Sequence, residues 1–409
     1  GPNVPLKVGT FFQQFPFIDL GVYGEGEQNF VDILIDYITD KKIERHTILS
    51  KEETVRDLDI FPSPYTNGLF DYLLDRHKDI QFKAIVETNR ACPFFCTFCF
   101  WGQSDISKKI AYHSIDYVRQ EAEWIAKNKI PYIFCADANF GMFKRDIEIA
   151  KIYADMKSTH SYPEKFRVCY GKNATESVYQ TASILSKADL AKTVTLAIQS
   201  NNEQTLKDIK RSNIKMSVYQ ALQQRYTEAN IPTYTEIILG LPGETKESFT
   251  NGLSNIISSI INNQVFIYHC QILPNTEMAE PEYINKHGIK TVKIPLAEVH
   301  GNVRLTGLVR EYEEIVISTN TMSTKEWVQC AVLSWVVQAC HGLKLTYHIV
   351  ESLVEKLGVS RIDFYKHLTK IHNPVIQRLW NIAKDITKGN IRCQDDIIFG
   401  SIYYEPEEI

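Results

Sequence analysis

The chain has 409 residues, 44% of them hydrophobic and 23% charged, with 45 Lys and Arg against 49 Asp and Glu for a formal net charge of −4. This balance excludes a fibrous, low-complexity or disordered chain, predicts two or three structural units, and gives no electrostatic footprint for a nucleic-acid backbone. No stretch approaches the ~20 apolar residues of a membrane span, no secretory signal is readable, and nine cysteines, three of them within eight residues, fit a metal site in a reducing cytoplasm better than a disulfide scaffold.

Residues 1–44 hold an apolar segment, Phe17 to Val22, the turn Tyr23-Gly24-Glu25-Gly26-Glu27 and an amphipathic run from Phe30 to Ile38. They read as the last strand, turn and helix of an α/β unit. Residues 45–80, polar and Pro-rich at Phe61-Pro62-Ser63-Pro64-Tyr65, read as a surface connector. Over residues 81–290, strand signals at Lys83–Glu87, Tyr132–Ala136, Phe166–Tyr170, Thr193–Ile198, Thr233–Leu239 and Val265–Gln271 alternate with helical spacing at Ile115–Lys127, Ile147–Met156, Ser217–Ala229 and Phe249–Ile261. The fold class is therefore α/β: six repeats are too few for a closed eight-stranded barrel and predict an open, partial (βα)6 barrel with its chemistry in the loops after the strands. Residues 291–409 read as a helical C-terminal extension, with a capping box at Ser323-Thr324-Lys325-Glu326 and further helices from Ile362 and Pro374.

The loop after the first barrel strand carries Cys92, Cys96 and Cys99 among Phe94, Phe95, Phe98, Phe100 and Trp101. Soft thiolates select iron–sulfur clusters, zinc or Cu(I). Structural zinc asks for a fourth ligand at a recognisable spacing, and none stands nearby; three thiolates in one loop suit a cubane cluster with one iron open to a substrate or cofactor. A structural zinc or iron–sulfur module, without catalysis, is the competing reading.

Cys92-x-x-x-Cys96-x-x-Cys99, with Phe98 before the last cysteine, resembles the signature of the radical S-adenosylmethionine (SAM) superfamily, and the order of later segments follows it through residue 290. The resemblance implies that the three cysteines bind a 4Fe-4S cluster, that SAM chelates its open iron, and that one-electron reduction gives a 5'-deoxyadenosyl radical. Cys135-Ala136-Asp137-Ala138-Asn139 stands where the family has a Gly-Gly-Glu-like turn for the SAM amino group, which offers Asp137 and Asn139, against the alternative of a capped turn. Gln199 and Ser200 match contacts to SAM, and Arg211 a carboxylate clamp, against the alternative of an exposed helix-end cation. Glu236 on the fifth strand and Leu273 after the sixth stand where the family packs against adenine, while Glu244 reads as a helix N-terminal carboxylate.

Val22-Tyr23-Gly24-Glu25-Gly26-Glu27 and Leu58-Asp59-Ile60-Phe61-Pro62-Ser63-Pro64-Tyr65 are similar to junction motifs of the cobalamin-binding subgroup, whose commonest chemistry is methyl transfer, and the resemblance implies that residues 1–44 are the C-terminal remnant of the Rossmann-like cobalamin domain that precedes the radical domain there. The cobalamin-ligand motif Asp-x-His-x-x-Gly does not occur, since Asp75-Arg76-His77 lacks the glycine, so cobalamin is not supported by the residues present. The expected enzyme is a C-methyltransferase acting on a small molecule, sugar or peptide, fed by a one-electron reductant such as flavodoxin or ferredoxin. The alternative is a cobalamin-free epimerase, cyclase or rearrangement enzyme, with Cys169, Cys270, Cys330 and Cys340 as hydrogen-donor candidates. Trp327, Cys330, Trp335, Cys340, His341 and Tyr347 recur at helical spacing and read as core.

Overall fold

The computed structural model describes residues 3–50, 55–102, 110–173, 176–259, 264–295 and 311–389. After a short helix α1 (Phe11–Gln14), strand β1 (Leu20–Tyr23), helix α2 (Glu27–Ile38) and strand β2 (Thr47–Ser50) form a right-sized βαβ unit in which the two strands pair in parallel. The N-terminal α/β unit thus runs past residue 44, and the segment expected to be a plain connector contributes β2 and helix α3 (Leu69–Arg76). Helix α2 leaves Phe30, Val31, Leu34, Ile35 and Ile38 exposed.

The alternating unit follows with its strands where the apolar runs placed them: β3 (Lys83–Val86), a two-residue pair β4 (Asn89–Arg90) and β5 (Ala111–Tyr112), then helix α4 (Ile115–Lys127), β6 (Tyr132–Cys135), α5 (Lys144–His160) and β7 (Lys165–Arg167). Next come α6 (Glu176–Lys187), β8 (Val194–Gln199), α7 (Glu203–Asp208), α8 (Met216–Glu228), β9 (Thr233–Leu239), α9 (Lys246–Ser259) and β10 (Gln264–His269). Strands β3, β6 and β7 make one parallel sheet, and β8, β9 and β10 another. Strands β3, β6, β8 and β9 bury alternate residues, among them Ala84 and Val86, Ile133 and Cys135, and Val194, Leu196 and Ile198, against Ile125, Ile149, Tyr153, Leu185 and Tyr226 from the helices, while β10 buries Val265, Phe266 and Ile267 in succession. The other face of the strands carries Arg167, Thr195, Tyr234, Glu236 and Tyr268, all partly buried, beside the apolar Phe134, Ile238 and Phe266. The end of the helix expected to reach Ile261 lies outside the described residues.

Helix α10 (Pro281–His287) leads into an antiparallel pair, β11 (Lys290–Pro295) and β12 (Tyr312–Ser318), so the region beyond residue 290 is not purely helical as its spacing suggested. Its helices then follow: α11 (Thr324–Val337), a π-helical turn (Gln338–Gly342), α12 (Tyr347–Leu357), α13 (Arg361–Leu368) and α14 (Pro374–Thr387). The box at Ser323 and Glu326 is closed in both directions, and it starts a helix whose Trp327, Cys330 and Trp335 lie in the core. Gln338 accepts the backbone N–H of Ile267, which satisfies a donor on the edge strand β10. Residues 296–310 and 390–409 of the expected C-terminal unit lie outside the described residues. Among the described residues, no helix is long and apolar enough to cross a membrane.

Candidate functional site

The β4–β5 ladder, Asn89 with Tyr112 and Arg90 with Ala111, pinches the base of the loop that carries the cysteines. Just past it Ala91 takes a positive φ of 98°, and Cys92 and Cys96 are buried. Gly102 is required where the loop returns on itself, because a Cβ there would stand 1.5 Å from the Phe94 carbonyl oxygen. At the far side, Thr97 donates its N–H to Ile209 (3.0 Å) and accepts from the Met278 N–H (2.9 Å), tying the loop after β3 to those after β8 and β10. Tyr283 hydrogen-bonds the Thr97 hydroxyl (3.2 Å) and donates to the Asp208 carbonyl (2.8 Å).

Both junction motifs dock on the base of this loop. Arg90 binds Glu87 (2.8 Å), Glu27 (2.9 Å) and Glu25 (3.2 Å), so the two glutamates of the first motif are its partners. Asp59 of the second motif accepts from the Ser114 N–H (3.0 Å) and pairs with His113 Nδ1 (3.1 Å), whose ring stacks on Tyr117 at 3.9 Å. Burial pushes His113 down, with Asp59 opposing, so the ring is chiefly neutral near pH 7. None of these partnerships was visible in the spacing.

The residues expected around a bound ligand separate into two groups. Asp137 accepts from the Thr88 N–H (2.7 Å), the Asn89 N–H (3.1 Å), the Asn89 side chain (2.6 Å) and the Thr88 hydroxyl. Burial raises its pKa and these donors oppose the rise. With its carboxylate saturated, the role its geometry supports is fixing the β3–β4 turn rather than touching a ligand. Ser200 donates to Glu244, which also accepts from Ser248 at the start of α9, so both are spent within the protein and Glu244 serves the helix start as expected. Phe98 packs against a small cluster with Leu241, Cys270 and Met278, and Leu273 stands partly exposed at the rim.

The second group keeps polar atoms that have no partner among the described residues. Asn139 donates to the Cys92 sulfur (3.1 Å) while its buried Oδ1 has no partner. Gln199, held at φ 68° on a bulge of β8, has an unpaired Oε1. Arg211 is buried, not an exposed helix-end cation: its guanidinium donates to Ile198 (3.3 Å), Asn213 (2.8 Å) and the Ala197 carbonyl and lies beside the Cys96 sulfur, and Nη1 meets no other partner among the described residues. Burial pushes Arg211 down, and Cys96, Glu236 and Cys99 oppose that. Glu236, partly buried on the polar face of β9, is raised by burial, with Tyr268 and Arg211 opposing. Cys99 is raised by burial, with Lys172 lowering it.

Two unpaired acceptors and one unpaired cationic donor beside three thiols match the ammonium and carboxylate of an amino acid held over a sulfur-bound metal group, which is the fit that a 4Fe-4S cluster and SAM require. Among the described residues, no three His, Cys, Asp or Glu side chains close to the spacing of a single metal ion. A cavity of about 810 Å³ lies between the N-terminal segment (Pro5, Lys7, Tyr23) and the mouth residues Phe95, Lys210 and Asn275.

Residues 86–252 match the radical SAM superfamily. Over 384 residues the chain is 34% identical to the 2-(S-pantetheinyl)-carbapenam-3-carboxylate methyltransferase of Streptantibioticus cattleyicolor, an alignment that covers 90% of this chain and 56% of that protein. It is 33% identical over 383 residues to the cobalamin-dependent radical SAM methyltransferase TokK of Streptomyces tokunonensis, again covering 90% and 56%. The chain spans about half the length of these curated relatives. Among solved structures, the radical SAM methyltransferase TsrM of Kitasatospora setae, with cobalamin and a [4Fe-4S] cluster bound, aligns over 74% of this chain and 61% of its own at a TM-score of 0.47 and 12% identity.

Proposed function

We propose, on the premise that residues 86–252 are a radical SAM domain, that this chain holds a 4Fe-4S cluster on Cys92, Cys96 and Cys99 with SAM beside it. It then activates one C–H bond of a small-molecule or peptide substrate for C-methylation. The observation that carries the reading is one braced loop with three thiols, flanked by the unpaired atoms of Asn139, Gln199 and Arg211. When bound, the cluster and SAM supply one-electron cleavage of the sulfonium to a 5'-deoxyadenosyl radical, driven by a reductant of the flavodoxin or ferredoxin kind.

The chain's own part is binding, orientation and exclusion of water. Cys92, Cys96 and Cys99 hold the metal, and Asn139 orients Cys92. Arg211 Nη1 binds the SAM carboxylate, and the Asn139 and Gln199 oxygens accept from its ammonium. The two sheets are read as halves of one open (βα)6 barrel, a reading supported by the electrostatic influence that Glu236 on β9 exerts on Cys169 beside β7 and that Cys169 exerts on Tyr234. The interior of that barrel, continuous with the strand ends, receives the substrate. Methyl transfer is favoured because both relatives matching 90% of this chain carry methyltransferase in their names. A carboxylate-bearing small molecule is the substrate class to try first, on the name of one of them. Cobalamin, which the residues present do not support, is supplied in the assay as a candidate methyl carrier and is assigned no site.

Anaerobic reconstitution tests this: iron and sulfide are counted, then SAM and dithionite are added with and without hydroxocobalamin, and 5'-deoxyadenosine and S-adenosylhomocysteine are assayed. Iron uptake and deoxyadenosine that both vanish in Cys96→Ala are expected. A protein that takes up zinc and leaves SAM intact overturns the proposal, and deoxyadenosine without cobalamin-dependent methyl transfer moves it to an isomerase or cyclase.

A further inference from the structure

Far from the cysteine loop, the π-helical turn Gln338–Gly342 and helices α12 and α13 bury a group of polar side chains that the chemistry above does not use. His341 is 1% exposed and both of its ring nitrogens lack a partner among the described residues. The hydroxyl of Tyr365, 0% exposed, and that of Tyr347, 8% exposed, are likewise unpaired, as is the ammonium of Lys344. These are neighbours: the His341 ring lies 6.0 Å from that of Tyr347 and 6.4 Å from that of Tyr365, both edge-on, and Lys344 Nζ sits 4.2 Å over the Tyr347 ring. Buried polar atoms almost always find partners, so several orphans in one place call for a missing one. π-helical turns, which cost hydrogen-bond geometry, recur at functional sites.

The kind of partner follows from the atoms. The ammonium offers donors only, the two phenols and one imidazole nitrogen offer a donor each, and the second imidazole nitrogen is the lone obligate acceptor. The carboxylate among them, Glu351, is spent on Arg361 through contacts of 2.7 and 2.6 Å. What remains is a donor-rich cluster around an ammonium, with no uncommitted carboxylate beside it to neutralise the charge. We propose that His341, Lys344, Tyr347 and Tyr365 line a second binding site, for the carboxylate or phosphate group of a small molecule. Burial lowers both His341 and Lys344, and an anion among them restores the charge that burial disfavours. The site does not depend on the radical SAM reading, and it fails or stands separately.

The test is thermal melting of the full chain as purified, titrated with sodium phosphate and with sodium acetate, each against sodium chloride at equal ionic strength. A saturable rise in Tm with either oxyanion, absent with chloride and lost in both Lys344→Met and Tyr365→Phe, is expected; the more effective salt tells a phosphoryl from a carboxylate ligand. Tyr365→Phe removes only an unpaired hydroxyl, so it keeps the circular dichroism of the parent. A rise no larger than that of chloride overturns the proposal. So does one that survives both substitutions, because the anion is then held elsewhere, for example at Arg211.

Discussion

Replacing Gly102 by alanine perturbs the cysteine loop without touching a thiol. The added methyl group would stand 1.5 Å from the Phe94 carbonyl oxygen and 2.7 Å from its carbon, both backbone atoms that no rotamer change can move aside. Non-bonded heavy atoms settle about 3.5 to 4.0 Å apart, so the two limbs of the loop must part by roughly 2 Å. Metal–ligand distances tolerate only about 0.2 Å, so sulfurs displaced on that scale cannot all reach one cluster. The strain itself costs about 1–3 kcal/mol and falls on a loop at the barrel mouth, not on the apolar core. Gly26→Ala is the matched control: its backbone has a φ of −91° and its added Cβ meets nothing within 4 Å. The assay is iron and sulfide per chain after anaerobic reconstitution, with far-ultraviolet circular dichroism to confirm the fold. Gly102→Ala should be folded and nearly free of iron, and Gly26→Ala should load like the parent. A full iron complement in Gly102→Ala would refute the reasoning that the crossing of the loop sets the positions of the sulfurs.

Three further substitutions probe separate parts of the argument. Glu121 is 4% exposed, accepts from the Ser63 hydroxyl at 2.6 Å, and burial raises its pKa to about 7 against that hydrogen bond. The folded state therefore holds a proton that the unfolded state releases between about pH 4.5 and 7, and stability is fullest below that window and falls as pH rises through it, by on the order of 3 kcal/mol. Glu121→Gln keeps the acceptor and should flatten this part of the Tm–pH curve; an unchanged slope contradicts the burial argument. Arg211→Gln should weaken SAM binding to reconstituted protein about 10- to 100-fold, the worth of a charged hydrogen bond, in equilibrium dialysis, and unchanged binding removes Arg211 from the site. Ser323→Ala opens the capping box of α11 and should cost ~1 kcal/mol in urea unfolding; no loss would mean that the buried face of the helix alone sets where it starts.

The strands were legible because each is a short apolar run buried hard on one face, a pattern that survives without knowledge of neighbours. Helix α6 escaped because its buried positions include Thr181 and Ala182, which dilute the apolar period. The β11–β12 pair escaped because Ile315, Val316 and Ile317 follow directly on Glu313 and Glu314, while 16 residues separate the two strands. The thiols announced themselves by spacing, and Asn139, Gln199 and Arg211 by resemblance. What no spacing could show was which polar groups would be used up: the donors that saturate Asp137 lie 48 and 49 residues away, and the carboxylate that takes the Ser200 hydroxyl lies 44 away. The roles expected for Asp137 and Ser200 depended on that, and the free oxygens of Asn139 and Gln199 did too.

Thr97 joins the loop after the first strand of the alternating unit to those after its fourth and sixth. Nothing in the ladders of the two sheets obliges these loops to stay at a fixed distance, and here one residue laces them together. Opening of the cysteine loop and loosening of the segment at Met278 are then one event, so the amides of Thr97 and Met278 should exchange with solvent at a common rate, and anything that seats metal on the thiols should slow both together.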